Sequence, residues 1–592
     1  MWRRRVRSFL GSTQLRCCSV PVGSDVESSC SIPSETVTVE NKKIQIAVVG
    51  SGPSGCYVAD YLTKKNPNIH VDIYEKLPVP FGLLRYGVAP DHPEVKNLEQ
   101  KFKDMFKTSR VTWIGNIEVG RSIPVDLMLT AYTAVVFSTG ANQDKELLIP
   151  GEHLGNVFGA REFVNFYNTY PSPHGNPHRC PFQLQGGLSG PITDAVVIGN
   201  GNVALDVVRV LASSYKYWCT TDMNCAAIKQ LIDNKIRNVH VVGRRGVEHS
   251  AFTIAEFREL TKFESSNKIS VKVDEFDLAK ILELPQNQNR AKKRLFELVH
   301  KFTSQENFNT DAGSLPSGQQ QGKVAKVDRG PCNVHFRYNL KPVEFLPHPR
   351  QREMVGGVRF EVTKAITPEM QAEVGDQNGN APFYVVQPCE LVLKSVGYAS
   401  QAIRGVPFNN KKFVMENHQG RIAGKLRLYC SGWCKRGATG VIVHTMADAH
   451  ATAQSILDDL ENKVVKQQAD QLGKYSLLDY FIEKNLYPIS NTALGRIWKV
   501  EEERGIDLGK RYEKIPAVDD MLEIAMGGKL GKLAENRVRR TANARPEALL
   551  YLDQLLDETT DMRSFSKEIW KDIPKLLNKD ATSRGIDMNK LL

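Results

Sequence analysis

At 592 residues the chain exceeds what one hydrophobic core usually holds, so two or more domains are expected. A composition of 41% hydrophobic and 24% charged residues, with no apolar run of the ~18 residues a membrane span needs, is that of a soluble globular protein. The net charge of +12 asks for an anionic counterpart, and the basic residues do not alternate with aromatics as in a nucleic-acid module. An acidic protein partner is therefore expected, beside an ordinary solvated basic surface, and no nucleic acid.

In chain order, residues Met1 to Ser24 carry five arginines and no acid appears before Asp25. The segment lacks the apolar core of a secretory signal and reads as a mitochondrial presequence over 1–40; a disordered basic tail is the alternative. Ile44–Val49 then predicts a strand, followed by Gly50-Ser-Gly52-Pro53-Ser54-Gly55 and a second strand, Val71–Glu75, ending in an acid. Tyr132–Ala141 predicts a further buried strand that closes this unit. About 149 residues after the first loop the pattern recurs. Ala195–Ile198 leads into Gly199-Asn-Gly201-Asn202-Val203-Ala204, and Val239–Val242 runs into Gly243-Arg244-Arg245-Gly246. Loops of this kind aim backbone N–H groups and a helix N-terminus at a pyrophosphate. An acid at the end of the next strand accepts from ribose hydroxyls, whereas arginine suits a 2′-phosphate. The first loop thus predicts an adenine dinucleotide without 2′-phosphate and the second predicts NADPH. Two dinucleotides in one chain imply that electrons pass between them.

Strand–helix alternation from Lys43 to about Leu260 predicts a doubly wound α/β fold. Val334–Tyr338, Val358–Val362 and Phe383–Val386 read as antiparallel strands decorating the second unit, and Leu391–Tyr398 returns the chain to the first. The polar stretches 170–190, 213–235 and 305–329 read as surface insertions. The tail 527–592 reads as helical, with an amphipathic helix after Pro546, and carries no chemical motif. Eleven cysteines include no Cys-x-x-Cys pair, so no metal or redox-disulfide site is expected, and Cys430 and Cys434 should pack beside a cofactor.

Four longer segments carry a resemblance. They are Phe81–Asn97, Val197–Asp206, Gly243–Gly246 with Ala251–Ile254, and Tyr429–Ile442. Over about Lys43 to Met526 the chain resembles the adrenodoxin reductase family of mitochondrial NADPH–ferredoxin reductases. The resemblance implies two Rossmann-like dinucleotide domains, the NADPH domain (143–397) inserted into a split FAD domain (41–142 and 398–526). It implies FAD on the first loop, with Gly50, Gly52, Pro53, Ser54, Gly55, Glu75, Leu83 and Val119, completed by Trp433, Gly440, Val441 and Ile442. It implies NADPH on Gly199, Gly201, Asn202 and Val203, with Arg244 and Arg245 on the 2′-phosphate and Glu256 and Gly440 touching the same cofactor. His92 and Asp206 match a polar pair near the flavin with a proton-transfer role, and Trp433 a ring that stacks on the flavin or shields it. The plainer alternatives are a turn-capping histidine, an aspartate serving its helix N-terminus, a tryptophan in ordinary packing and a solvated arginine pair.

The family's partner is a small acidic [2Fe–2S] ferredoxin, and Arg258, Arg290 and Arg294 match its docking surface. Arg290 and Arg294 lie one turn apart on one helix face; a solvated face is the alternative. A monomer in the mitochondrial matrix, in peripheral contact with the inner membrane, completes the expectation. A flavin reductase for another acceptor and a catalytically silent scaffold are the competing readings. The lack of a redox Cys-x-x-Cys argues against a disulfide reductase.

Overall fold

Continuous β-branched runs with no polar alternation become strands covered on both faces, as parallel sheets require. The computed structural model describes residues 43–172, 191–232, 235–267, 269–273, 290–304, 332–363, 382–466, 468 and 471–527. The readings of a presequence, of the stretches 173–190 and 305–329, and of the tail from 528 onward lie outside the described residues. In chain order come β1 (Ile44–Val49), α1 (Pro53–Lys65), β2 (Ile69–Tyr74), β3 (Val111–Ile114) and β4 (Ala134–Phe137). Next are β5 (Val157–Gly159), β6 (Asp194–Ile198), α2 (Asn202–Ala212), β7 (Asn238–Val242), α3 (Ile254–Asn267), β8 (Ile269–Val273), α4 (Arg290–Ser304) and β9 (Cys332–Arg337). Then follow β10 (Leu340–Pro347), β11 (Val355–Val362), β12 (Tyr384–Pro388) and β13 (Leu391–Lys394). The described chain closes with β14 (Asn417–His418), β15 (Arg421–Ile422), β16 (Leu428–Cys430), α5 (Ile442–Glu461) and α6 (Asn491–Asp507).

The strands fall into two main sheets. One has the order β14-β15-β16-β4-β1-β2-β3, the other β5-β13-β6-β7-β9-β8. The pairings of β1 with β2 and β4, and of β6 with β7 and β13, are all parallel. In each sheet the loop-bearing strand therefore lies where the order reverses, the place at which such sheets bind ligands. α1, α5 and α6 cover one face of the first sheet. α2, α3 and α4 cover one face of the second, and the antiparallel ladder β10-β11-β12 packs on the other.

Two sequence expectations are corrected. Val334–Tyr338 does not decorate the surface: β9 runs parallel between β7 and β8, inside the second sheet. Its alternation arises because His335 and Arg337 share a sheet face with His240, while Val334 and Phe336 enter the core on the other. The described part of 213–235 is not a surface insertion either, since Trp218 and Met223 are buried in the second sheet's core.

Candidate functional site

Each loop leaves its strand through a glycine that no other residue could replace. Gly50 has φ +104°, and a Cβ there would lie 2.4 Å from the Ser138 carbonyl oxygen beyond β4. Gly199 repeats this, with φ +117° and a Cβ 2.2 Å from the Ser395 carbonyl oxygen beyond β13. The second glycines, Gly52 and Gly201, are the residues that cap α1 and α2, and a Cβ on either would meet nothing within 4 Å. Both helix N-termini thus open onto space that a phosphate can fill. Pro53 occupies the first turn of α1, where its missing N–H costs nothing.

The sites differ where the sequence differs. Glu75, 8% exposed, follows β2, and its Oε2 accepts from the Ser51 N–H (3.0 Å) and Oγ (2.7 Å). Its Oε1 accepts from the Leu77 N–H at 3.2 Å and keeps a lone pair for a hydroxyl donor. Arg244 and Arg245 follow β7 with both side chains exposed, their backbone carbonyls held by Thr363 Oγ1 (2.9 Å) and the Asn339 N–H (3.2 Å). Asn202 at the start of α2 accepts from the Thr253 N–H at 2.9 Å, tying the second loop to the segment before Glu256.

Around the first loop, Leu83 opens a short helix beside Gly82, whose Cβ would lie 3.3 Å from the Gly52 Cα. Val119 is buried in a cluster with Val49 and Tyr74. Ser54 Oγ and Ser431 Oγ are 2.7 Å apart, and the Gly432 N–H donates to Asp448 Oδ2 at 2.7 Å. These bonds join α1, the β16 loop and α5. Trp433 is half-buried, with its ring 6.0 Å from that of Tyr398 and tilted 30°. Gly440 and Val441 are exposed just before α5, which starts at Ile442. Cys430 and Cys434 are buried free thiols, and Cys434 Sγ donates to the Phe137 carbonyl at 3.2 Å.

His92 and Asp206 meet on a residue that the sequence did not single out. Arg209, one turn beyond Asp206 on α2, has a side chain 0% exposed. Its Nε and Nη2 donate to Asp91 (3.0 and 3.1 Å), and Nη2 also lies 2.8 Å from Asp206 Oδ1 and 2.8 Å from His92 Nε2. Nη1 donates to Glu256 Oε2 at 3.2 Å. The ligand-type atoms of His92, Asp206 and Glu256 lie within 4.8 Å of one another, and the cation among them is this guanidinium. Burial pushes the Asp206 carboxyl up to about 6; Arg209 opposes the rise while Glu256 and Asp91 add to it. The i, i+3 spacing from Asp206 to Arg209 was the one sequence signal that could have drawn attention to it. His92 precedes a short helix but makes no side-chain cap bond, and Asp206 lies beyond the first turn of α2.

Arg258 is exposed on α3, and Arg290 and Arg294 are exposed on α4. Leu295, Phe296 and Val299 of α4 are buried in the core that takes Phe257 and Leu260 of α3. The three arginines thus stand on two helices anchored in one core.

A family profile described as a NAD(P)-binding Rossmann-like domain matches residues 48–102, which include the first loop and Glu75. The human mitochondrial NADPH:adrenodoxin oxidoreductase is 38% identical over 491 residues, 82% of this chain and 93% of that protein. The Arabidopsis thaliana protein of the same name is 32% identical, covering 82% of this chain and 96% of its own length. Among solved structures, FprA of Mycobacterium tuberculosis in complex with NADPH superposes with a TM-score of 0.68 at 28% identity, over 82% of this chain and 100% of that one. With 38% identity over 82% of this chain and 93% of a relative of that name, the chain belongs to the NADPH:adrenodoxin oxidoreductase family.

Proposed function

We propose that this protein is a mitochondrial flavoenzyme that takes electrons from NADPH and passes them through FAD to a small adrenodoxin-type [2Fe–2S] ferredoxin. The observation that carries this reading is the pair of like-built loops with opposite chemistry at the next strand end. A buried carboxylate is hydrogen-bonded to one loop, and two exposed arginines end the strand next to the other. FAD fits the first site, because Gly52 leaves the N-terminus of α1 open and Glu75 keeps acceptor capacity for a ribose hydroxyl. NADPH fits the second, where Gly201 leaves α2 open beside Arg244 and Arg245.

When bound, FAD supplies the conversion between two-electron hydride chemistry and single-electron delivery. This chain's residues do the rest. Gly50 to Gly55 would hold the FAD pyrophosphate, Glu75 its ribose, Leu83 and Val119 would lie along FAD, and Trp433 with Gly440 to Ile442 would complete the flavin site and exclude water. Gly199 to Val203 hold the NADPH pyrophosphate, and the planar forks of Arg244 and Arg245 bind its 2′-phosphate through charge-assisted bonds. Glu256 and Gly440 would touch NADPH, and His92 with Asp206 would hold a proton near the flavin. Arg258, Arg290 and Arg294 receive the acidic ferredoxin.

In this reading 41–142 with 398–526 forms the FAD domain, and 143–397 the NADPH domain inserted in it. The protein works as a matrix monomer. The acid-free, arginine-rich first 24 residues support import. The protein is in peripheral contact with the inner membrane in this reading; no helix among the described residues is long and apolar enough to cross a membrane.

The test is stopped-flow absorbance of the purified chain. NADPH should bleach the flavin far faster than NADH, and Arg244→Ala with Arg245→Ala should erase most of that preference, at ~10–100-fold per arginine for a charge-assisted bond. A protein without flavin, or one blind to the 2′-phosphate, would sink the proposal.

A further inference from the structure

We infer that Arg209 is a positioning residue that joins the two nucleotide-binding sheets and fixes the orientation and tautomer in which His92 meets the site. The inference deepens the proposed function and rests on it. Asp91 and His92 belong to the connection between β2 and β3 of the first sheet, whereas Asp206, Arg209 and Glu256 stand on α2 and α3 over the second. One guanidinium therefore spans both units, with partners 117 and 118 residues away on one side and 3 and 47 on the other.

Guanidinium nitrogens donate and never accept. With Arg209 Nη2 at 2.8 Å, His92 Nε2 must be the accepting, unprotonated nitrogen. The ring proton then lies on Nδ1, which faces Glu94 Oε1 at 3.4 Å. The clasp holds the His92 ring in one orientation, with Nε2 turned to Arg209 and Nδ1 to Glu94.

The charge balance gives Arg209 a second effect. Three carboxylates, Asp91, Asp206 and Glu256, surround a single guanidinium. The Asp206 charge in turn helps to raise the buried Tyr167 and Tyr398 hydroxyls, which stay neutral beside it. Arg209 is the strongest of the groups opposing the rise of Asp206, so removing that charge drives the carboxyl higher still. Lysine keeps the charge but has no planar fork to reach Asp91, His92, Asp206 and Glu256 together.

The test compares wild type with Arg209→Gln and Arg209→Lys, each loaded with FAD. In Arg209→Gln, flavin reduction at saturating NADPH should slow by about 10²-fold, the scale of a 1 Å misplacement. NADPH affinity should change by no more than about 3-fold, since Arg209 does not touch the phosphate loop. The acid limb of the pH profile should move upward. Arg209→Lys should slow the reaction with the limb left near its original place. With His92→Gln added, Arg209→Gln should cost little more than His92→Gln alone, because both act through one contact.

An unmoved pH limb, a loss confined to NADPH affinity, or additive double-variant effects would each overturn the inference. Should both variants fail to fold, the nitrogen-15 shift of His92 Nε2 in the wild-type holoprotein decides. An unprotonated-type signal supports the clasp, and a protonated one overturns it. Wild-type flavin inert to NADPH would reject the proposed function, while the nitrogen shift would still judge Arg209.

Discussion

Glu75 accepts two bonds from Ser51 and one from Leu77, so its carboxylate is fixed in place before any nucleotide arrives. Glutamine would turn one oxygen into a donor that meets either the Ser51 N–H or the ribose hydroxyl. Glu75→Gln should therefore weaken FAD binding by ~10–100-fold, the worth of a hydrogen bond to a charged group. FAD content after dialysis would check this, and full retention would remove Glu75 from the site. A second residue, His240, makes a stability prediction. Burial pulls its imidazole down to about 4, with His335 and Arg337 adding to the shift and Asp194 opposing it. The unfolded chain protonates this ring near 6.5. Below that pH the unfolded state binds the extra proton, so this contribution to stability is complete above 6.5 and lost as pH falls towards 4. His240→Gln should flatten the fall in denaturation midpoint between pH 6.5 and 4 relative to wild type. An unchanged slope would show that His240 is free to protonate in the fold.

At the scale of elements, signals that are local in sequence were read well and signals that depend on tertiary neighbours were not. The first loop and its strands lie within about thirty residues and the second within about fifty, so the parts of that chemistry follow one another in the chain. β9 was misread because its sheet is not apolar on both faces. His240, His335 and Lys272 form a row across β7, β9 and β8, so a central strand carries the alternation of an exposed one. Residues 213–235 looked polar because Asp222 is used internally, in an ion pair with Lys96. No spacing rule joins Lys96 to Asp222, or Asp91 to Arg209, more than a hundred residues away. α4 gives the prediction proper to this scale. Arg290 and Arg294 are exposed while Leu295, Phe296 and Val299 anchor the helix, so reversing both charges leaves its packing intact. Arg290→Glu with Arg294→Glu should raise KM for ferredoxin about tenfold or more at low salt. It should also flatten the dependence of rate on ionic strength. An unchanged salt dependence would mean that the partner docks elsewhere.

The whole molecule depends on how its two sheets are held together, and that seam is ionic. Lys96, between β2 and β3, donates to both oxygens of Asp222, between α2 and β7, at 2.8 and 2.6 Å. Close by, Arg85 holds both oxygens of Glu501 on α6, at 2.6 and 2.7 Å. Lys514 donates to the Asn168 carbonyl at 3.1 Å, and its charge also bears on Asp222. Burial opposes the charge on Asp222, yet Lys514 and Lys96 together hold its carboxyl below the usual range. Ion pairs this deep need not stabilise the fold relative to apolar residues, but breaking one leaves an uncompensated buried charge. Asp222→Asn should cost about 3–5 kcal/mol in denaturant unfolding. Lys96→Met with Asp222→Leu, which removes both charges, should cost less than either substitution alone. The electron path makes the same contact testable by rate. If the pair fixes the sheets relative to each other, the double variant, though folded, should reduce its flavin more slowly because a pocket without directional bonds tolerates more than one docking angle. A double variant as fast as wild type would assign the seam to stability alone and leave alignment to Arg209.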